Sequence, residues 1–146
     1  MLTRYETDIS AWAQEQVALL RSGQWAALDI AHLTEELETM GASQRRELKN
    51  RLAVLLQHLL KWNFQPDHRS RSWEATMLEQ RSAIADLLDE VPSLRTALPE
   101  AFDKAYPLGV RFAAKETGIH ERLFPRQCPY QLDQVLHEDW LPLDLH

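Results

Sequence analysis

Three features of the 146-residue sequence predict an all-α protein. Apolar residues recur at three- and four-residue spacing along most of the chain, there are only four glycines, and no stretch shows the strict alternation of a half-buried strand. The expected architecture is an antiparallel up-and-down bundle of four main helices with a helical, Pro-containing C-terminal extension, forming one domain over 1–146. At this length about two thirds of the unfolded surface is buried on folding, so no disulfide or metal staple is needed.

The elements follow in order. A first helix is expected over about 6–22, with Ile9, Trp12, Ala13, Gln16, Val17 and Leu20 on one face and Gly23 at its end. A second covers about 26–40 along the seam Ile30, Leu33, Leu37 and Met40, with Gly41 placed to act as a left-handed C-terminal cap. The third, about 43–62, carries the widest apolar stripe. Leu48, Leu52, Leu55, Leu59 and Trp62 step by four and three, and Leu56 and Leu60 broaden the stripe past half the circumference. Such a helix is expected at the centre of the core. After a break at Gln65-Pro66-Asp67, a fourth helix over about 72–90 uses Trp73, Met77, Gln80, Ile84 and Leu87. Beyond Pro92, shorter helices are expected up to a break at Pro107, then over about 108–117 ending at Gly118, and finally over about 131–137. Gln16 and Gln80, polar positions in apolar seams, read as fixing helix register.

Cys128 is the only cysteine, so no intrachain disulfide exists and a reducing compartment is expected. The first residues lack a basic segment followed by an apolar run, so no signal peptide is expected. No apolar stretch approaches the roughly 18 residues of a membrane span. These readings place the protein in the cytoplasm. The net charge of −6 argues against a nucleic-acid partner. Its distribution is uneven: residues 1–43 hold two basic and seven acidic side chains, and 44–73 hold seven basic and two acidic. A basic middle paired with acidic neighbours inside one fold is the simplest account.

Two constellations stand out. Asp29, His32 and Glu36 fall within about 60° of arc on the second helix, and a hairpin across Gly41-Ala42-Ser43 would bring His58 near the level of Asp29. Carboxylate and imidazole groups converging between helices can hold a metal. Arg51, expected on the same side, would instead close the cluster as an ion pair, and that reading is favoured; no metal or cofactor is assigned. The second constellation joins Glu35 with Lys61, Arg69 and Arg71. Arg69 and Arg71 stand at the entry to the fourth helix, where the macrodipole disfavours cations by about 0.3–1 kcal/mol each. Glu35 or Glu36 is expected to hold them, with a bound phosphate or carboxylate as the alternative. No nucleophile elbow and no glycine-rich phosphate loop is present.

The motifs Asp29-x-x-His32-Leu33-x-Glu35-Glu36-Leu37, Arg46-Glu47-Leu48 and Arg51-Leu52 precede His58-Leu59-Leu60-Lys61-Trp62. Gln65-Pro66, Arg69-Ser70-Arg71-Ser72-Trp73, Glu116-Thr117-Gly118, Phe124-Pro125 and Cys128-Pro129-Tyr130 follow. Together they resemble the bacterial and cyanobacterial Domain of Unknown Function 29 family, over about 5–142. The resemblance implies an all-helical fold and supplies no catalytic residue. Two readings of function remain: a small non-enzymatic interaction or regulatory protein with a protein partner, or a metal- or anion-binding protein or enzyme using the Asp29/His32/Glu36/Arg51/His58 cleft.

Overall fold

Four long helices and a short one carry the fold of a computed structural model, which describes residues 4–143. They are α1 (Ile9–Arg21), α2 (Ile30–Phe64), α3 (Arg71–Glu90), α4 (Leu94–Thr117) and α5 (Leu132–Leu136), with 3-10 turns at Trp25–Ala27, Pro66–His68 and Glu121–Leu123. The protein is all-α, as the spacing of its apolar residues requires, and no strand occurs among the described residues. The chain divides into two compact units, 1–42 and 43–146.

The partition into four long helices differs from the sequence expectation at two joints. The second and third expected helices are one 35-residue helix, α2. Gly41 keeps an ordinary helical φ there, since the only positive-φ residues described are Gly23 and Gly118. Gly in a helix interior costs about 0.8–1 kcal/mol relative to Ala, too little to break a helix flanked by good helix formers on both sides. The hairpin that would have carried His58 back to Asp29 is therefore not formed. The second joint is Pro107, which lies inside α4 rather than ending a helix. Pro107 faces solvent while Phe102, Ala105, Tyr106, Gly109 and Ala113 are buried on both sides of it. Continuous packing of that face offsets the roughly 3 kcal/mol a proline costs.

In the first unit, Asp8 caps α1 by accepting from Ala11 N–H at 3.0 Å. Pairings of Tyr5 with Glu36 and of Trp12 with Asp29 set α1 antiparallel to the start of α2. In the second unit α2 is the centre. Leu48, Leu52, Leu55, Leu56, Leu59 and Leu60 are each fully buried. Lys61 against Trp73 and Arg51 against Gln80 set α3 antiparallel to α2, while Lys61 and Gln57 against Glu116 bring α4 back parallel to it. Gly109 allows the close approach of α4: a Cβ there would stand 3.0 Å from the Ala53 carbonyl oxygen and 3.0 Å from the Leu56 Cβ. Gly118, at φ 78°, caps α4 in the left-handed conformation. The tail packs Phe124, Tyr130 and Val135 into the same core.

Candidate functional site

In the first unit, Asp29 is the hub. It immediately precedes α2 and acts as its N-cap: Oδ1 accepts from the His32 N–H at 3.3 Å. Its Oδ2 accepts from Trp12 Nε1 at 2.9 Å and pairs with His32 Nδ1 at 2.7 Å. The Asp29 N–H donates to Gln16 Oε1 at 2.8 Å, which gives the buried Gln16 the register role expected of it. The Asp-x-x-His spacing is thus a cap whose third helical residue returns its side chain to the capping carboxylate. His32 also stacks on Tyr5 with ring centroids 4.2 Å apart, and its Nε2 lies 3.4 Å from Glu6 Oε1. Tyr5 OH donates to Glu36.

The electrostatics of this set follow from those contacts. The Asp29 hydrogen bond raises the His32 pKa above the ordinary histidine value, and His32 with Trp12 lowers that of Asp29. The Glu36 hydrogen bond, then burial, pushes the Tyr5 hydroxyl up to about 12. The partners found for Asp29 and Glu36 are therefore Trp12, His32 and Tyr5 rather than Arg51. Arg51 lies in the second unit, 3.3 Å from Gln80 Oε1 and 3.9 Å from Glu47. His58, also in that unit, donates from Nδ1 to the Val54 carbonyl at 2.9 Å, and burial pushes its pKa down. No group of three or more His, Cys, Asp or Glu side chains among the described residues is disposed to hold a metal ion.

The second constellation sits at the end of α2 and is held by partners other than those expected. Lys61, only 3% exposed, donates to Glu116 Oε1 at 2.9 Å and lies 4.4 Å from the centre of the Trp73 ring. Gln57 donates to the other Glu116 oxygen. Lys61, followed by the cost of burial acting the other way, sets the Glu116 pKa below the usual glutamate value. Arg69 Nε donates to the Trp62 carbonyl at 2.8 Å, and its guanidinium lies 5.0 Å from the centre of the Trp62 ring. That carbonyl is one of the last four of α2, which have no intrahelical partner and favour a cation. The macrodipole objection to Arg69 disappears because it serves the C-terminus of α2 rather than the N-terminus of α3. Ser70 caps α3 by accepting from the Trp73 N–H at 3.2 Å, and Arg71 is exposed at its first position. In the other compact unit, Glu36 is paired with Tyr5 and Glu35 is exposed.

A family model described as "Domain of unknown function DUF29" matches residues 4–141. The chain belongs to that family. No curated protein and no solved structure matches it. The motif residues of this DUF29 chain have readable local roles. Lys61, Trp62, Arg69 and Trp73, close in sequence, and the distant Glu116 are groups that fasten the end of α2 to α3 and α4.

Two structural anchors escaped sequence reasoning. Arg81, 6% exposed, donates to the carbonyls of Val135 at 2.8 Å, Glu138 at 3.1 Å and Trp140 at 2.8 Å. Asn63 donates to the Leu143 carbonyl at 2.7 Å and accepts from Tyr130 OH. Arg81 falls on the buried face of α3, between Met77 and Ile84, which was the available signal. Cys128 Sγ donates to the Tyr130 carbonyl at 3.5 Å and burial raises its pKa, so its thiol is not activated.

Proposed function

We propose that this DUF29 chain is a non-enzymatic interaction protein of the bacterial cytoplasm that docks a basic amphipathic helix of another protein on residues 9–40. The observation that carries this reading is an uncovered apolar face. On α2, Ile30 (61% exposed), Leu37 (66%) and Met40 (64%) are large apolar side chains left open to solvent. At 100° per residue the three fall within about 80° of arc. On α1, Ile9, Val17 and Leu20 are exposed as well.

On each helix the exposed apolar arc is displaced by about a quarter turn, in the same rotational sense, from the arc bearing the pairings between α1 and α2. In an antiparallel pair, equal displacements of that kind put both arcs on one side. The hairpin thus presents a two-helix apolar face, the geometry into which an amphipathic helix lays its i, i+3, i+4 and i+7 anchors. Charge selects the occupant. Residues 1–42 hold two basic and seven acidic side chains, so a second copy would bring like charges together, whereas a Lys/Arg-flanked helix is attracted. The lone thiol, Cys128, fits a reducing compartment.

The test is fluorescence anisotropy with two labelled 20-residue amphipathic peptides, one Leu/Lys and one Leu/Glu, in parallel with sedimentation of the chain. The Leu/Lys peptide should bind, and Leu37→Asp should weaken it by about tenfold or more without lowering the melting temperature. Equal binding of the Leu/Glu peptide, indifference to Leu37→Asp, or a dimer that Leu37→Asp dissolves would each overturn the reading.

A further inference from the structure

A second recognition feature lies in the 43–146 unit, and its chemistry is opposite to that of the acidic hairpin. α4 and the segment that follows it enclose a cleft of about 540 Å³, within the range of small-molecule sites. Its apolar lining includes Val110, Phe124 and Pro125, and its charged lining includes Arg111, Arg122 and Arg126. All three arginines are exposed, and none has a carboxylate partner among the described residues. This is a concentration of cations in a part of the chain that is otherwise acidic: residues 74–146 hold seven basic and thirteen acidic side chains. Glu121 is the one carboxylate that lines the cleft, which leaves an excess of positive charge.

The walls are fixed before any ligand arrives. Tyr106, buried on α4, donates from its hydroxyl to the Pro125 carbonyl at 2.5 Å and so ties the returning segment to the helix. Phe124 is buried against Phe64, with ring centroids 4.9 Å apart. His120 accepts from the Arg122 N–H at 3.2 Å and caps the 3-10 turn that carries Arg122. A rigid apolar wall beside several guanidinium groups matches a ligand with one apolar, flat part and one anionic part. The guanidinium fork is suited to a carboxylate or a phosphate, which it can hold through two hydrogen bonds.

We infer that this cleft binds a small organic anion, a phosphate or carboxylate carried on an aromatic or similarly flat apolar body. The inference is independent of the hairpin's partner, because it concerns other residues and a ligand of the opposite charge.

Isothermal titration with phenyl phosphate, benzoate, inorganic phosphate and benzyl alcohol tests it on the full chain. Phenyl phosphate or benzoate should bind saturably and at least about tenfold more tightly than inorganic phosphate or benzyl alcohol; which of the two wins identifies the anionic group. Arg122→Ala and Arg126→Ala, both at exposed positions, should each weaken that binding by about tenfold, and Val110→Trp should remove the preference for the aromatic anion over inorganic phosphate. Absence of binding by both aromatic anions at millimolar concentration overturns the inference. So does benzyl alcohol or inorganic phosphate binding as tightly, or binding unaffected by both arginine substitutions. An acidic peptide that binds through the same arginines more tightly than either aromatic anion overturns it in favour of a protein ligand.

Discussion

His32 and His58 show how one residue type takes opposite electrostatic roles. His32 is hydrogen-bonded to the Asp29 carboxylate, which favours its charged form, whereas His58 is sheltered and bonded to a backbone carbonyl, and burial disfavours its charge. Their contributions to stability therefore run in opposite senses with pH. That of His32 is fully present below the ordinary histidine value and is lost as pH rises through its elevated pKa. That of His58 is intact above the ordinary value and is lost as pH falls below it. Asp29 and Glu116, both with depressed pKa values, add stability that disappears as acid titrates them. NMR titration of the imidazole resonances, assigned with His32→Gln and His58→Gln, should place His32 above and His58 below about 6.5. Two histidines titrating together at that value would contradict both contact sets.

At the scale of elements, two glycines inside helices have opposite consequences. Gly41 occupies an ordinary turn in the middle of α2, so Gly41→Ala should stabilise by about 0.5–1 kcal/mol through helix propensity and the loss of unfolded-state freedom. Had it been the left-handed cap of a hairpin, the same change would destabilise. Gly109 is different because its Cβ space is occupied by the backbone of α2. Gly109→Ala should push α4 from α2 and cost about 1–3 kcal/mol, as overpacking does. Urea denaturation of both variants separates the cases: a rise in midpoint for the first and a fall for the second are expected, and like signs would refute the helix assignments. The same scale accounts for Arg69, whose position beside α3 mattered less than its reach to the last carbonyls of α2.

For the whole molecule, what holds the C-terminal tail is polar as much as apolar. Arg81 supplies donors to three carbonyls of residues 135–140 from within α3, and Asn63 supplies one to Leu143 from within α2. Among the described residues no carboxylate is hydrogen-bonded to Arg81, and burial lowers its pKa, so it serves as a multidentate clamp on backbone carbonyls. Arg81→Met keeps the aliphatic stem and removes the donors, leaving three sheltered carbonyls without their partner. The expected loss is about 2–4 kcal/mol, with earlier hydrogen exchange of the tail than of α2. A melt superimposable on wild type would mean the tail is held by Tyr130, Val135 and Trp140 alone.

The sequence by itself determined that the chain is all-α, that Leu48 to Leu60 form its most buried stripe, where α1, α3 and α5 lie to within a few residues, and that Gly118 ends α4. Each of these depends on local spacing or on a conformational preference of one residue, information carried by a few neighbouring positions. At Gly41, whose neighbours are largely exposed, helix propensity on both sides outweighs a cost of about 1 kcal/mol. Tertiary structure alone decided that Pro107 stays inside α4, because packing summed over both its flanks outweighs a cost of about 3 kcal/mol. It also decided the partners of the charged groups. Asp29, His32 and Glu36 were legible as a cluster, but their closure by Tyr5, Trp12 and Gln16 required α1 to be laid across them. His58 and Arg51 were legible as candidates to join that cluster, yet whether they met Asp29 depended on a turn that did not form. Arg81 and the arginines around the cleft were missed for the same physical reason. A guanidinium's partner is chosen by whichever carbonyl, carboxylate or ligand the fold brings within reach, and spacing along the chain does not encode that.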